Sequence, residues 1–145
     1  MNTEYDHLFR ETCQNLDLPW VKVKAFAGTL SGMNPEFREN DFHGPRVGLL
    51  AVPERDAISH GVLPGDLVKP EKNILAGVEL LREAIDHFWE IGNDPERFFA
   101  GCHHYLRDWI RKQDDWKDDY WHWYERVKRL ASMENAREIV NDGIS

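Results

Sequence analysis

The sequence predicts a mainly helical fold in one domain, interrupted by a loop-rich stretch over residues 34–69. Three observations carry this. Apolar residues recur at helical spacing in several segments. Helix-start and helix-stop residues bracket those segments. Pro35, Pro45, Pro53 and Pro64, with Gly44, Gly48, Gly61 and Gly65, gather in the stretch between them. The chain has 145 residues, enough for one hydrophobic core without a metal or disulfide staple.

The first helix is expected from about Thr3 to Asn15, with Tyr5, Leu8, Phe9, Thr12, Cys13 and Leu16 at helical spacing. Asp17-Leu18-Pro19 breaks it and restarts a second helix, with Asp17 as a candidate cap and Pro19 near the first turn. That helix carries Trp20, Val23, Ala27 and Leu30 on one stripe and ends near Gly32, with Pro35 soon after. In the loop-rich stretch, the apolar run Val47-Gly48-Leu49-Leu50-Ala51-Val52 is too short for periodicity to separate helix from strand. Long irregular segments in compact domains often form binding walls.

A third helix is expected from about Pro70 to Ile91 on Ile74, Val78, Leu81, Ile85 and Phe88. Asn93-Asp94-Pro95 starts the next, which runs to about Lys112 with Phe98, Phe99, Cys102, Leu106 and Trp109 inward. The last runs from about Asp114 to Met133 and buries Trp116, Tyr120, Trp123, Val127 and Leu130. The domain is therefore expected over residues 1–134, with 135–145 a polar tail that frays or docks.

Composition narrows the function. A net charge of −8 argues against broad contact with nucleic-acid phosphates and against docking on anionic membranes. No stretch approaches the apolar length of a membrane span. The N-terminal MNTEYDHLFRE has neither a basic nor an apolar signal region, so synthesis in the cytoplasm without a general secretion signal is expected. Cys13 and Cys102 form no CxxC pair. Their separation permits a long-range disulfide or two buried thiols, and a reducing compartment favours the thiols.

Three segments in order resemble the soluble lytic transglycosylase domain of the lysozyme-like superfamily. The first is Leu18-Pro19-Trp20 through Lys24-Ala25-Phe26-Ala27, then Leu30-Ser31-Gly32-Met33-Asn34-Pro35, similar to a helix closing with Glu-Ser-x-x-Asn-Pro. The second is Gly44-Pro45-Arg46-Val47-Gly48-Leu49-Leu50-Ala51-Val52-Pro53, similar to Gly-x-x-Gly-Leu-Met-Gln-x-x-Pro. The third, Pro70-Glu71-Lys72-Asn73-Ile74-Leu75-Ala76-Gly77, resembles an Asn-Ile-x-x-Gly helix. A weaker match sets Ala100-Gly101-Cys102-His103 against Ala-Ala-Tyr-Asn.

The resemblance implies a lysozyme-like fold and a peptidoglycan groove. In that family one Glu protonates the glycosidic oxygen, then acts as base for an intramolecular attack that yields the anhydro sugar. The position here is Leu30, which has no proton to give. Losing a general acid costs on the order of 10²–10⁴ in rate. The other groove positions by resemblance are Ser31, Met33, Asn34, Leu50, Ala51, Cys102 and His103. Among them Ala51 stands for the family's Gln, Cys102 for its Tyr and His103 for its Asn. The scaffold positions Gly32, Asn34, Pro35, Gly48, Leu49, Asn73, Ile74 and Gly77 are kept.

The expectation is thus a non-catalytic structural or interaction protein on this fold. A phage virion or tail component that meets the cell wall is the natural setting, with protein partners and peptidoglycan as a further ligand. The competing expectation is a peptidoglycan-cleaving enzyme with a displaced acid, Glu36 first, with Glu39 and Asp41 beyond it. No cofactor or metal is expected. His103 and His104, even with Cys102, His43 or His60, lack ligand spacing, because neighbours on a helix point apart. The same argument disfavours Cys102 with His103 as a nucleophile pair. Trp121 and Tyr124 fall off the core stripe of the last helix and are candidate interface residues.

Overall fold

The computed structural model describes the backbone over residues 3–144 and the side chains as far as Met133. Its elements are α1 (Asp6–Asn15), α2 (Trp20–Ser31), β1 (Arg38–Asp41), β2 (Gly44–Val47), β3 (Val52–Pro53), α3 (Glu54–Ala57), α4 (Pro70–Asp86), α5 (Asp94–Tyr105), α6 (Ile110–Gln113) and α7 (Trp116–Ile144). Two turns of 3-10 helix, Ile58–His60 and Pro64–Val68, join α3 to α4. The architecture is mainly α, with one small antiparallel sheet of order β1-β2-β3.

Helix α2 is the centre of the molecule. Residues from Val23 to Ser31 are all buried, so the expected single stripe is corrected to burial all round. Burial on every face is what surrounding elements impose on a core helix. A buried ion pair from Lys24 to Asp6 ties α2 to α1. On another side, Gly28 lets the Trp123 ring of α7 lie directly on the α2 backbone. The start of α2 also differs from expectation. Pro19 occupies the cap position, and no side chain caps the helix. Asp17 instead adopts a left-handed conformation, φ 54°. The end is as expected: Gly32, at φ 64°, returns its N–H to the Gly28 carbonyl at 2.8 Å.

The loop-rich stretch holds the sheet. Arg38 pairs with Val47 and Asp41 with Gly44, and then Val47 pairs with Val52. The apolar run over 47–52 is therefore neither one helix nor one strand. Its ends belong to β2 and β3, and Gly48–Ala51 is the turn between them.

Two helices end earlier than periodicity predicts: outside donors take carbonyls at the end of α5, and α4 passes into turns, the Phe88 N–H bonding the Ile85 carbonyl and the Ile91 N–H that of Phe88. Arg46 donates to the Tyr105 carbonyl and the Phe42 N–H to that of Asp108, and α5 stops at Tyr105. Arg97 donates to the Ile91 carbonyl, beyond the end of α4 at Asp86. Asn93 caps α5 as its sequence predicts, accepting from the Glu96 N–H at 3.1 Å. At the C-terminus, α7 continues as helix to Ile144, so its backbone passes the expected boundary at 134 without a break. No helix among the described residues is long and apolar enough to cross a membrane.

Candidate functional site

The end of α2 meets the turn over 48–51, and side chains from α2, α4 and α5 hold it there. The Ser31 hydroxyl donates to the carbonyls of Ala27 (3.0 Å) and Leu49 (2.7 Å) and accepts the Met33 N–H (3.2 Å). Asn73, on α4, accepts from the Leu50 N–H at 2.8 Å. Its amide donates to the carbonyls of Val47 (2.7 Å) and Leu67 (2.8 Å). Tyr105 donates its hydroxyl to the Leu50 carbonyl. A buried backbone turn needs such partners, because an orphaned N–H or C=O away from water is costly.

Two glycines make the close approach. At Gly48, φ 83°, a Cβ would lie 2.1 Å from the Asn73 amide nitrogen. At Gly77 it would lie 2.6 Å from Leu50. Ser31, Gly48, Asn73 and Gly77, far apart in sequence, thus form one physical unit.

The positions expected to face a groove are placed differently. Leu30 is 1% exposed, and Leu50, Ala51 and Cys102 are fully buried. Their side chains belong to the hydrophobic core. Ser31 and Met33 are buried as well; Asn34 and His103 are exposed. Reading Leu50, Ala51 and Cys102 as groove-lining is therefore corrected: the segment is apolar because it packs inward. Met33 and Ala51 hold left-handed backbone, φ 63° and 45°, a conformation that costs a non-glycine residue about 1–2 kcal/mol.

The three nearby carboxylates differ from one another. Glu36 is exposed on the turn after α2, with its own N–H bonded to the Asn34 side chain. Glu39 accepts from Trp109 Nε1 (3.2 Å) and Arg111 (2.9 Å). Asp41 accepts from the His43 N–H, Arg46 and Arg55 at 2.7–3.1 Å. Burial alone raises the Asp41 pKa, but those donors outweigh it and hold the carboxyl below the ordinary range. A general acid needs the reverse, a pKa raised toward neutrality.

Arg46 is the residue that sequence reading missed. It is 1% exposed, pairs with Asp41, and lies over the rings of Tyr105 and Trp109 at 5.6 and 5.3 Å. Arg55 extends the network from Asp41 to Asp108. The signal was an arginine set directly before an apolar run. Its partner across the hairpin became visible only with the register.

The thiols and histidines are dispersed. Cys13 and Cys102 are both free and buried. Burial raises both thiol pKa values, that of Cys13 to about 12. His104 stacks on His87 with centroids 4.9 Å apart. Burial, then Arg107 and His87, lower its pKa. His60 meets Glu79 at 2.8 Å, and His43 lies 3.5 Å from Asp108. Among the described residues, no three His, Cys, Asp or Glu side chains are grouped to hold a metal.

The aromatic start of α7 separates its members. Trp116 and Tyr120 are buried as expected. Tyr124 is half-buried and stacked on Tyr120 at 6.0 Å, so it serves the core as well as the surface. Trp121 is 48% exposed. With His103 of α5 it borders a surface cleft of about 510 Å³, so two separately chosen candidates share one feature.

No known family model matches the chain, and no curated protein matches it.

Proposed function

We propose that this chain is a non-catalytic structural or interaction module on a lysozyme-like, lytic-transglycosylase scaffold. Its setting is an assembly that meets the cell wall, such as a phage virion or tail, where a protein partner is the main ligand. The observation that carries the reading is Leu30. The position where the resembled chemistry needs a proton donor holds a leucine that is 1% exposed. Of the carboxylates that follow in sequence, Asp41 is held ionised by Arg46 and Arg55, and Glu39 is tied to Trp109 and Arg111. Support for the scaffold comes from Ser31, Gly48, Asn73 and Gly77, which interlock around one turn.

The test is incubation of the purified protein with peptidoglycan sacculi, with soluble muropeptides measured over time. No release is expected from the native chain. Release that disappears in Glu36→Gln would establish an enzyme with a displaced acid and sink the reading. Sedimentation with intact sacculi, without release, would make the wall itself a ligand of the module.

A further inference from the structure

The cleft beside Trp121 has the form of a docking groove. Residues 96, 99, 100 and 103 follow i, i+3, i+4, i+7 spacing along α5, so they make one wall. Residues 117 and 121 line it from α7, and Phe88 completes the lining. Phe88, Phe99, Ala100 and Trp121 are its apolar surface; Glu96, His103 and Lys117 are its polar edge. The wall on α5 spans seven residues, roughly 10 Å at 1.5 Å per residue. That is about two turns of a second helix. The Trp121 ring is held rigidly: its centroid is 5.4 Å from those of Phe99 and Tyr120 and 5.7 Å from that of Tyr124. A preorganised, half-exposed tryptophan is the usual anchor of a protein interface.

Charge identifies the occupant. Glu96 lies in the cleft, and the exposed Asp118 of α7 flanks it. Both are exposed, and neither has an ion-pair partner among the described residues. Asp118 sits one helical turn before Trp121, on the same side of α7. Lys117 offsets one of these two charges, and a net acidic border is left. We propose that the groove receives a basic, amphipathic helical segment of a partner protein. Its apolar side chains at i, i+3, i+4 and i+7 fill the space over Phe99 and Trp121, and its Lys or Arg side chains face the acidic border. The chain's overall charge of −8 steers such a segment toward it. This inference rests on the interaction-module reading and names the kind of partner that module takes.

The probe is a synthetic helical peptide of about 14 residues with leucine at those four spacings and lysine elsewhere. A second peptide replaces every lysine with glutamate. Binding is read by fluorescence anisotropy and mapped by amide shifts on the intact protein. The lysine peptide is expected to bind, with shifts confined to α5 and the start of α7. The glutamate peptide should bind at least tenfold more weakly. Trp121→Ala should weaken the lysine peptide about tenfold, and Glu96→Gln with Asp118→Asn should weaken it severalfold and flatten its salt dependence. Ala100→Glu, which leaves the aromatic cluster intact, gives a second way to block the groove without touching Trp121.

Equal binding by the native protein and by both Trp121→Ala and Ala100→Glu would overturn the proposal, since only diffuse charge would then be at work. So would displacement of the peptide by a chitooligosaccharide, which would make this a sugar site. A dimer that Trp121→Ala converts to monomer would assign the groove to a second copy. Muropeptide release would defeat the non-catalytic reading in a separate assay and leave this binding result standing.

Discussion

Asn73 shows how much one side chain carries. Its amide meets three backbone groups, at Val47, Leu50 and Leu67, all buried around one turn. Asn73→Leu keeps the volume and leaves those three groups unpaired. At about 1–3 kcal/mol for each orphaned group, urea unfolding should show a loss of at least about 3 kcal/mol. Asn73→Asp retains the acceptor for Leu50 but turns a carboxylate toward two carbonyls. Its folded pKa should therefore lie above the unfolded value of about 3.9. A raised folded pKa gives a contribution that is present below the unfolded value and lost as pH rises through the folded one. The Asp variant should thus be closest to the native protein near pH 4 and worst near neutrality. A loss below about 0.5 kcal/mol for Asn73→Leu would mean the turn does not depend on this residue. The sequence marked Asn73 as a motif position, yet its partners lie up to 26 residues away. What it does was legible only after folding. The burial of Leu30 was not legible either, since leucine at a helix end fits a groove or a core.

At the scale of elements, the helices followed from their periodicity, and the errors came from long-range contacts. α4 and α5 were drawn too long because apolar spacing continued to Phe88 and Trp109, while α4 passed into i→i−3 turns and Arg46 took the carbonyl of Tyr105 at the end of α5. The 47–52 run was ambiguous because every residue after Arg46 in it is buried, which removes the alternation that marks a strand. The contact of α2 with α7 has no local signature except one glycine. A Cβ at Gly28 would stand 2.3 Å from the Trp123 ring. Gly28→Ala should gain about 1 kcal/mol of helix propensity and still destabilise by about 1–3 kcal/mol through overpacking. In a Trp123→Ala background the same change should become neutral or stabilising. A double-mutant cycle in chemical denaturation reads the difference directly. A stabilised Gly28→Ala in the native background would mean that Trp123 does not rest on α2.

Across the whole molecule, the two cysteines report whether the helices unfold together. Cys13 is on α1 and Cys102 on α5, and both side chains are fully buried. The thiolate is the reactive form. Burial holds the Cys13 thiol protonated in the folded state, with its pKa raised to about 12. The native protein should therefore show no reactive thiol toward an aromatic disulfide reagent, and two after denaturation. The informative quantity is the slow labelling rate under native conditions. α1 is joined to α2 through the Lys24–Asp6 pair. α5 is joined to α7 through the ring contacts of Phe98 and Phe99 with Trp116 and Tyr120, and α2 joins α7 at Gly28. If these contacts make one cooperative unit, both thiols label at one rate, that of global opening. Faster labelling of Cys13, resolved by mass spectrometry of the digested protein, would show α1 opening alone. It would confine the rigid unit to the helices that hold the Gly48–Ala51 turn and the Trp121 groove.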